Sequence, residues 1–283
     1  MLNLKKLSIP LAFIAVLIIW STTPLAIKWS ATNAPMNSAL VRMLIGSLFC
    51  LFVLGLTTSK LPLNSQSIRL YTFNGLSIFF GMSLFYLAAQ HIPSGWIAVL
   101  FGLSPLLTGL FSAMVEPETK LTFSRLVGIM LGFCGLYLVF SAGLNVADAS
   151  LIGVIYSLAA TLISSATSVV TRQLVKPLNI SGMQITSGSL IVALPLFALA
   201  ALLSQPNADF AFSKKELWST LYLGLIGTGV GFSLYYYLLK KITANRVALI
   251  TLVTPICALM IGSWLNNEPV SYTHLTLPTI YSV

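Results

Sequence analysis

Arg42 is the residue whose placement most invites chemistry. It lies about six residues into an apolar run, on the order of 9 Å deep at helical rise. A cation there is costly in lipid and marks a functional site by default. It could hold a carboxylate or phosphate, or pin its helix to a neighbour's carbonyls. Snorkelling to the headgroups is the structural alternative. A second group is Trp20-Ser21-Thr22-Thr23-Pro24, a large ring and three hydroxyls ahead of a proline. Proline removes a backbone donor and frees a carbonyl, so polar groups arise near mid-membrane without a charge. The alternative is a kink capped by its own hydroxyls, with Trp20 packed.

Two dipeptides, Ser104-Pro105 and Thr254-Pro255, each sit about the middle of an apolar run. Kinked helices at matching places favour a cavity lining. Tyr86 and Tyr236 are weighed between a cavity and the interfacial belt, the belt being preferred. Ser164 and Thr167 complete the candidate binding set. Lys28 and Arg172, at the ends of their runs, read as snorkelling cations. Gly227-x-x-x-Gly231 reads as helix packing.

No pattern for catalysis or metal binding is present. His91 stands alone in a loop, and no run has an Asp or Glu in its interior, Glu216 standing at the edge of one. Cys50, Cys134 and Cys257 are single and lack ligand spacing. The expectation is therefore no enzyme, no cofactor and no metal.

The chain is 57% hydrophobic and only 7% charged, with mean hydropathy +0.93. Soluble domains carry roughly 25% charged residues. Apolar stretches near 20 residues recur, each long enough to cross a bilayer core. Nine spans are predicted, at about 8–29, 36–56, 68–90, 94–115, 121–141, 150–172, 181–203, 216–239 and 245–265. Helices are required because lipid offers no partner to open backbone. A cleavable leader in the first span is disfavoured, since no cleavage site follows.

The net charge of +9 is no nucleic-acid signature. Lys5, Lys6, Lys60, Arg69, Lys120, Arg125, Arg172, Lys176, Lys240, Lys241 and Arg246 fall on one side, against Lys28, Lys214 and Lys215 on the other. Basic residues favour the cytoplasm, so the N-terminus is predicted inside.

The chain is a duplication. Gly81, Ser83, Leu84, Tyr86, Ile92, Ala98, Pro105 and Glu118 recur 150 positions later as Gly231, Ser233, Leu234, Tyr236, Ile242, Ala248, Pro255 and Glu268. Spans 3 and 4 thus match spans 8 and 9, an offset of five helices, and an odd offset inverts the copies. The loop after span 3 has no Lys or Arg, whereas its mate holds Lys240, Lys241 and Arg246. More weakly, Trp20 to Lys28 has the spacing of Ser164 to Arg172. Inverted repeats suit a transporter with one midplane site.

The repeat calls for a tenth span after Glu268-Pro269. Instead Val270–Val283 is short and polar, and VSYTHLTLPT resembles translated sequencing adapter. The expected organisation is a first half over 1–143, a truncated second half over 144–269, and an artefactual tail over 270–283. The small-residue face of span 5, Gly128, Gly132 and Gly135, would then lack its counterpart. The fold class is an all-α membrane protein with an inverted five-helix repeat.

The phrases IIWSTTPLAIKW (18–29), LVRMLIG (40–46), SPLLTGLFSAMVEPE (104–118) and TPICALMIGSWLNNEP (254–269) resemble the drug/metabolite transporter superfamily, nearest its ten-helix EamA type. The resemblance spans about residues 8–269. It implies two inverted halves, cytoplasmic termini and a cavity lined by spans 1, 3, 4, 6, 8 and 9. Members mostly export amino acids, other metabolites or toxic compounds. Ser164, where the family often has a tryptophan, departs from the pattern, as does the absent tenth span.

The expected function is an alternating-access exporter of small metabolites such as amino acids or other zwitterionic or anionic compounds. A multidrug exporter of the same fold and an intramembrane sensor or channel-like bundle are the alternatives. The expected partners are the lipid bilayer and a small-molecule substrate, without nucleic acid; a homodimer is compatible. The expected location is a bacterial inner membrane.

Overall fold

The computed structural model describes residues 4–31, 34–57, 59–115, 150–204 and 212–268. The predicted fifth span, with Arg125, Cys134 and its glycines, lies outside these residues, as do Glu118 and the tail after residue 268. Every described element is helical. In chain order they are α1 (Leu4–Ser30), α2 (Pro35–Leu56), α3 (Ser65–His91), α4 (Ser94–Phe101), α5 (Ser104–Val115), α6 (Leu151–Val175), α7 (Gly182–Ser204) and α8 (Lys214–Tyr222). A π-helical segment (Leu223–Val230) then leads into α9 (Gly231–Lys241), α10 (Ala244–Ala248) and α11 (Ile250–Asn266).

Joined end to end, these form eight spans among the described residues. Each of the other eight predicted spans has its helix, within a few residues at either end. Local chemistry starts several helices. Asn64 accepts the Ser67 N–H ahead of α3, and Ser213 and Glu216 form a capping box on α8. Pro35 occupies the first turn of α2, where no N–H is needed.

Polarity is distributed inside out. Trp264 is 86% exposed and Phe52 65%, while Arg42, Asn74 and Thr161 are buried. That ordering suits a bundle whose solvent is hydrocarbon, where helix contacts are made by small and hydroxylic side chains.

The halves are threaded in opposite directions. One end of the bundle gathers Trp29, His91, Lys215 and Asn266: the Trp29 indole donates to Asn266 Oδ1 at 2.7 Å, and Lys215 lies over the Trp29 ring. The His91 side chain abuts Gly153 at the start of α6. The other end gathers Ser8 with Tyr237, Ser112 with Asn245, and Lys240 with the Ile180 carbonyl. So α3 finishes at the first end, whereas its mate in the repeat, α8 through α9, finishes at the second.

Lys28 and Arg172 depart from the snorkelling expectation. The Lys28 ammonium donates to the carbonyls of Ala89 at 2.6 Å and Ile92 at 3.2 Å. Arg172 Nη1 donates to the carbonyls of Leu239, at 2.7 Å, and Ile242. Leu239 and Ile242 each lie 150 residues beyond Ala89 and Ile92. A helix end leaves carbonyls without intrahelical partners, and each half closes that gap with a cation from its own first span.

Candidate functional site

A central cavity opens between the halves, with about 1070 Å³ of non-atom space including its mouth. Its wall is drawn from α1, α2, α3, α4, α5, α6, α9, α10 and α11. Seven of the anticipated residues line it: Trp20, Thr23, Arg42, Ser104, Ser164, Thr167 and Tyr236.

Arg42 is 1% exposed. Its Nε donates to Thr228 Oγ1 at 2.9 Å. Nη1 has no hydrogen-bond partner, and the guanidinium carbon lies 5.9 Å from the Tyr86 ring centre. It therefore does not snorkel. The π segment makes this burial feasible by packing tightly on α2. A Cβ on Gly224 would sit 2.6 Å from Ile45 Cγ2, and one on Gly229 would sit 2.4 Å from Phe49 Cδ1. A π turn inside an α-helix often marks a functional site; here it aims Thr228 at the guanidinium.

Trp20 packs its ring 5.1 Å from Tyr235 and 5.5 Å from Phe101, and Phe85 lies edge-on to Phe101 at 5.5 Å. The repeat crosses itself at this level. A Cβ on Gly81 would lie 3.6 Å from Ser164 Oγ, and one on its mate Gly231 would lie 4.0 Å from Trp20 Nε1. Trp20 and Ser164 are the positions paired by their spacing to Lys28 and Arg172. The glycines let spans 3 and 8 approach spans 6 and 1 in the same manner.

The other anticipated residues lie behind the wall. Ser21 donates to the Leu17 carbonyl at 2.8 Å. Thr22 donates to the Ile19 carbonyl at 2.9 Å and lies 2.5 Å from Tyr222 Oη. Even Thr23, on the wall, donates to the Ile19 carbonyl. These hydroxyls serve their own helix around Pro24. Tyr86 is wholly buried beneath Arg42, with Ser30 Oγ 3.4 Å from its hydroxyl. Neither Tyr86 nor Tyr236, 4% exposed, sits in an interfacial belt.

The two Ser/Thr-Pro pairs are not equivalent. Span 4 breaks at Gly102 and Leu103, so Pro105 falls in the first turn of α5. Span 9 breaks earlier, at Leu249, and Pro255 lies inside α11. There Thr254 Oγ1 donates to the Thr251 carbonyl at 3.3 Å, the carbonyl that Pro255 cannot serve. Thr254 is buried and Pro255 partly so, both off the cavity wall.

Wall residues absent from the anticipated set include Ser77, Thr108, Ser168 and Thr251. Ser77 shares a 2.5 Å hydrogen bond with Thr167, across α3 and α6. Ser104 does the same with Ser165 at 2.9 Å. Their signal was present as hydroxyls repeating at helical spacing: Ser104 with Thr108, and Ser164 with Thr167 and Ser168.

Comparison with known proteins agrees with this geometry. The model of the EamA-like transporter family matches residues 7–141 and again 151–277, one match per half. The chain is 25% identical over 262 residues to an uncharacterized transporter, YoaV, of Bacillus subtilis, covering 90% of this chain and 87% of that protein. It is also 25% identical to the uncharacterized inner membrane transporter YedA of Escherichia coli K12, covering 92% of this chain and 83% of the relative. Protein PecM of Dickeya dadantii is 25% identical, with 86% and 80% covered. A solved crystal structure shares the fold, with TM-score 0.72, 19% identity, and 93% and 90% of the two chains covered. Two family matches on two oppositely threaded sets of apolar helices lead to one conclusion: this chain belongs to the EamA-like transporter family.

Proposed function

We propose that the protein is an alternating-access exporter of the bacterial inner membrane, N-terminus in the cytoplasm. Its cargo is a small metabolite such as an amino acid or another zwitterionic or anionic compound. The observation that carries this reading is the pair of matched clamps, Lys28 on Ala89 and Ile92, and Arg172 on Leu239 and Ile242, flanking one central cavity. Two halves of the same build, pointing opposite ways, can exchange conformations, and each exchange turns a shared midplane cavity from one face to the other. The orientation is supported by the basic bias of the loops, and the membrane by the name that YedA carries.

Trp20, Thr23, Arg42, Ser104, Ser164, Thr167 and Tyr236 are assigned to cargo contact. Tyr86 positions Arg42; Ser21, Thr22, Pro105, Thr254 and Pro255 shape the helices behind the wall. The test is counterflow in proteoliposomes holding the full chain. Saturable exchange of a labelled amino or organic acid is expected, abolished by Trp20→Ala with Tyr236→Ala. Rates that never saturate would instead favour a channel-like bundle.

A further inference from the structure

We infer that the cavity selects organic monoanions, with a carboxylate on Arg42 and an apolar body against Trp20, Phe101 and Tyr235. This narrows the exporter reading and rests on it.

The argument begins with an uncompensated charge. Arg42 is 1% exposed, and its Nη1 makes no hydrogen bond among the described residues. A buried guanidinium without a counter-charge is strongly unfavourable. The chain has six acidic residues to supply one. Glu216 is committed to the capping box with Ser213. Glu268 accepts from Ser94, Gly95 and Asn266 at one end of the bundle. Glu116, Glu118, Asp148 and Asp209 lie outside every predicted span, and residues 121–141 contain no Asp or Glu. Among the described residues no carboxylate balances Arg42, and the balancing charge is assigned to a ligand.

The rest of the wall defines that ligand further. Nε is already held by Thr228 at 2.9 Å, which leaves one free edge for one charge. A dianion would lack donors. A guanidinium edge matches the two oxygens of a carboxylate. The same cavity wall carries the rings of Trp20, Phe101 and Tyr235, with Trp20 5.5 Å from Phe101 and 5.1 Å from Tyr235, an apolar surface for the rest of the ligand. No wall residue is acidic, and the hydroxyls of Ser104 and Thr167 are already bonded to Ser165 and Ser77. An ammonium group would lose water there without a carboxylate to replace it. A zwitterion is thereby disfavoured against the anion of the same shape.

The test uses three probes with one isobutyl body: 4-methyl-2-oxopentanoate (anion), leucine (zwitterion) and 4-methylpentanamide (neutral). Binding to the purified full chain is read by thermal shift and tryptophan fluorescence, and movement by counterflow in liposomes. The oxo acid should bind about tenfold or more tightly than the other two. Arg42→Gln should remove that preference, and Arg42→Lys should keep part of it. Leucine or the amide binding as tightly as the oxo acid overturns the inference, as does an unchanged preference in Arg42→Gln, or no binding by any probe. Should Arg42→Gln fail to fold, the ranking of probes on the unaltered chain still decides. Leucine exchange equal to that of the oxo acid leaves the exporter standing and removes this narrowing. Oxo acid binding in the stated order without counterflow does the reverse.

Discussion

Trp29 and Asn266, 237 positions apart, are joined by a 2.7 Å hydrogen bond from the indole to Oδ1. Lys215 also reaches that oxygen, at 3.4 Å, and lies 4.3 Å above the Trp29 ring. Through Asn266 Nδ2 the network continues to Glu268, then to Ser94 and Gly95. Four spans are thus fastened at one end of the bundle. Replacing Trp29 with Phe keeps the ring and deletes the donor. In a cysteine-free background, Trp29→Phe should speed labelling of Ile97→Cys, on the cavity wall, by a membrane-impermeant thiol reagent. About fivefold is expected for one lost hydrogen bond. An unchanged rate would mean that this end is closed by packing alone.

Glu268 sits on the N-terminus of α4, accepting from the Ser94 hydroxyl and the Gly95 N–H. A carboxylate there satisfies an otherwise unpaired donor and complements the helix dipole. Glu268→Gln retains the shape but loses the charge. A destabilisation of about 1 kcal/mol follows, measurable as a lower unfolding midpoint in detergent. A variant as stable as the parent would remove the capping role.

The clamps make a prediction about additivity. Lys28→Met and Arg172→Met each strip donors from two helix-end carbonyls. Each should cost about 1–3 kcal/mol. Because the clamps lie at opposite ends, the double variant should show the sum of the two losses within about 0.5 kcal/mol. Strong non-additivity in unfolding experiments would show that the two ends communicate in the resting protein.

Two glycines should behave in opposite ways. A Cβ on Gly182 would sit 2.0 Å from the Ser233 carbonyl oxygen, backbone against backbone. Gly182→Ala must push α7 from α9 and should cost about 1–3 kcal/mol or more. Around Gly55 nothing described lies within 4 Å, so Gly55→Ala should be neutral or gain up to about 1 kcal/mol in helix propensity. Expression yield and thermal midpoint of the pair decide it.

Orientation is checked with two exposed positions, His91 and Lys241. In intact cells an impermeant maleimide should label His91→Cys and spare Lys241→Cys. Labelling of both from outside would contradict the opposed threading of α3 and α9.

Much of this arrangement was legible because it follows from long-range regularities. Apolar length set the helices, and an unbroken 150-residue offset with reversed loop charge set their opposed direction. Arg42 was visible as a cation at the wrong depth. What sequence could not convey was which face each helix turns inward. Tyr86 reads as an interfacial tyrosine until α2 lays Arg42 across it. Lys28 reads as a headgroup ligand until the carbonyls of Ala89 and Ile92 come within its reach. The π segment has no composition of its own; its glycines become meaningful only against Ile45 and Phe49. Likewise Pro105 and Pro255 match in position, yet the breaks at Gly102 and Leu249 give them different surroundings.

The clamps also bear on how a polypeptide like this chooses its insertion direction. Lys28 and Lys240 spend their ammonium groups on carbonyls of the protein itself, so neither is free to be drawn by an anionic leaflet. With Lys28 set aside, the basic residues of the side proposed to face outward reduce to the neighbours Lys214 and Lys215. A doubled ancestor could keep matching clamps in both halves, Lys28 in one and Arg172 in the other, while its loops diverged in charge.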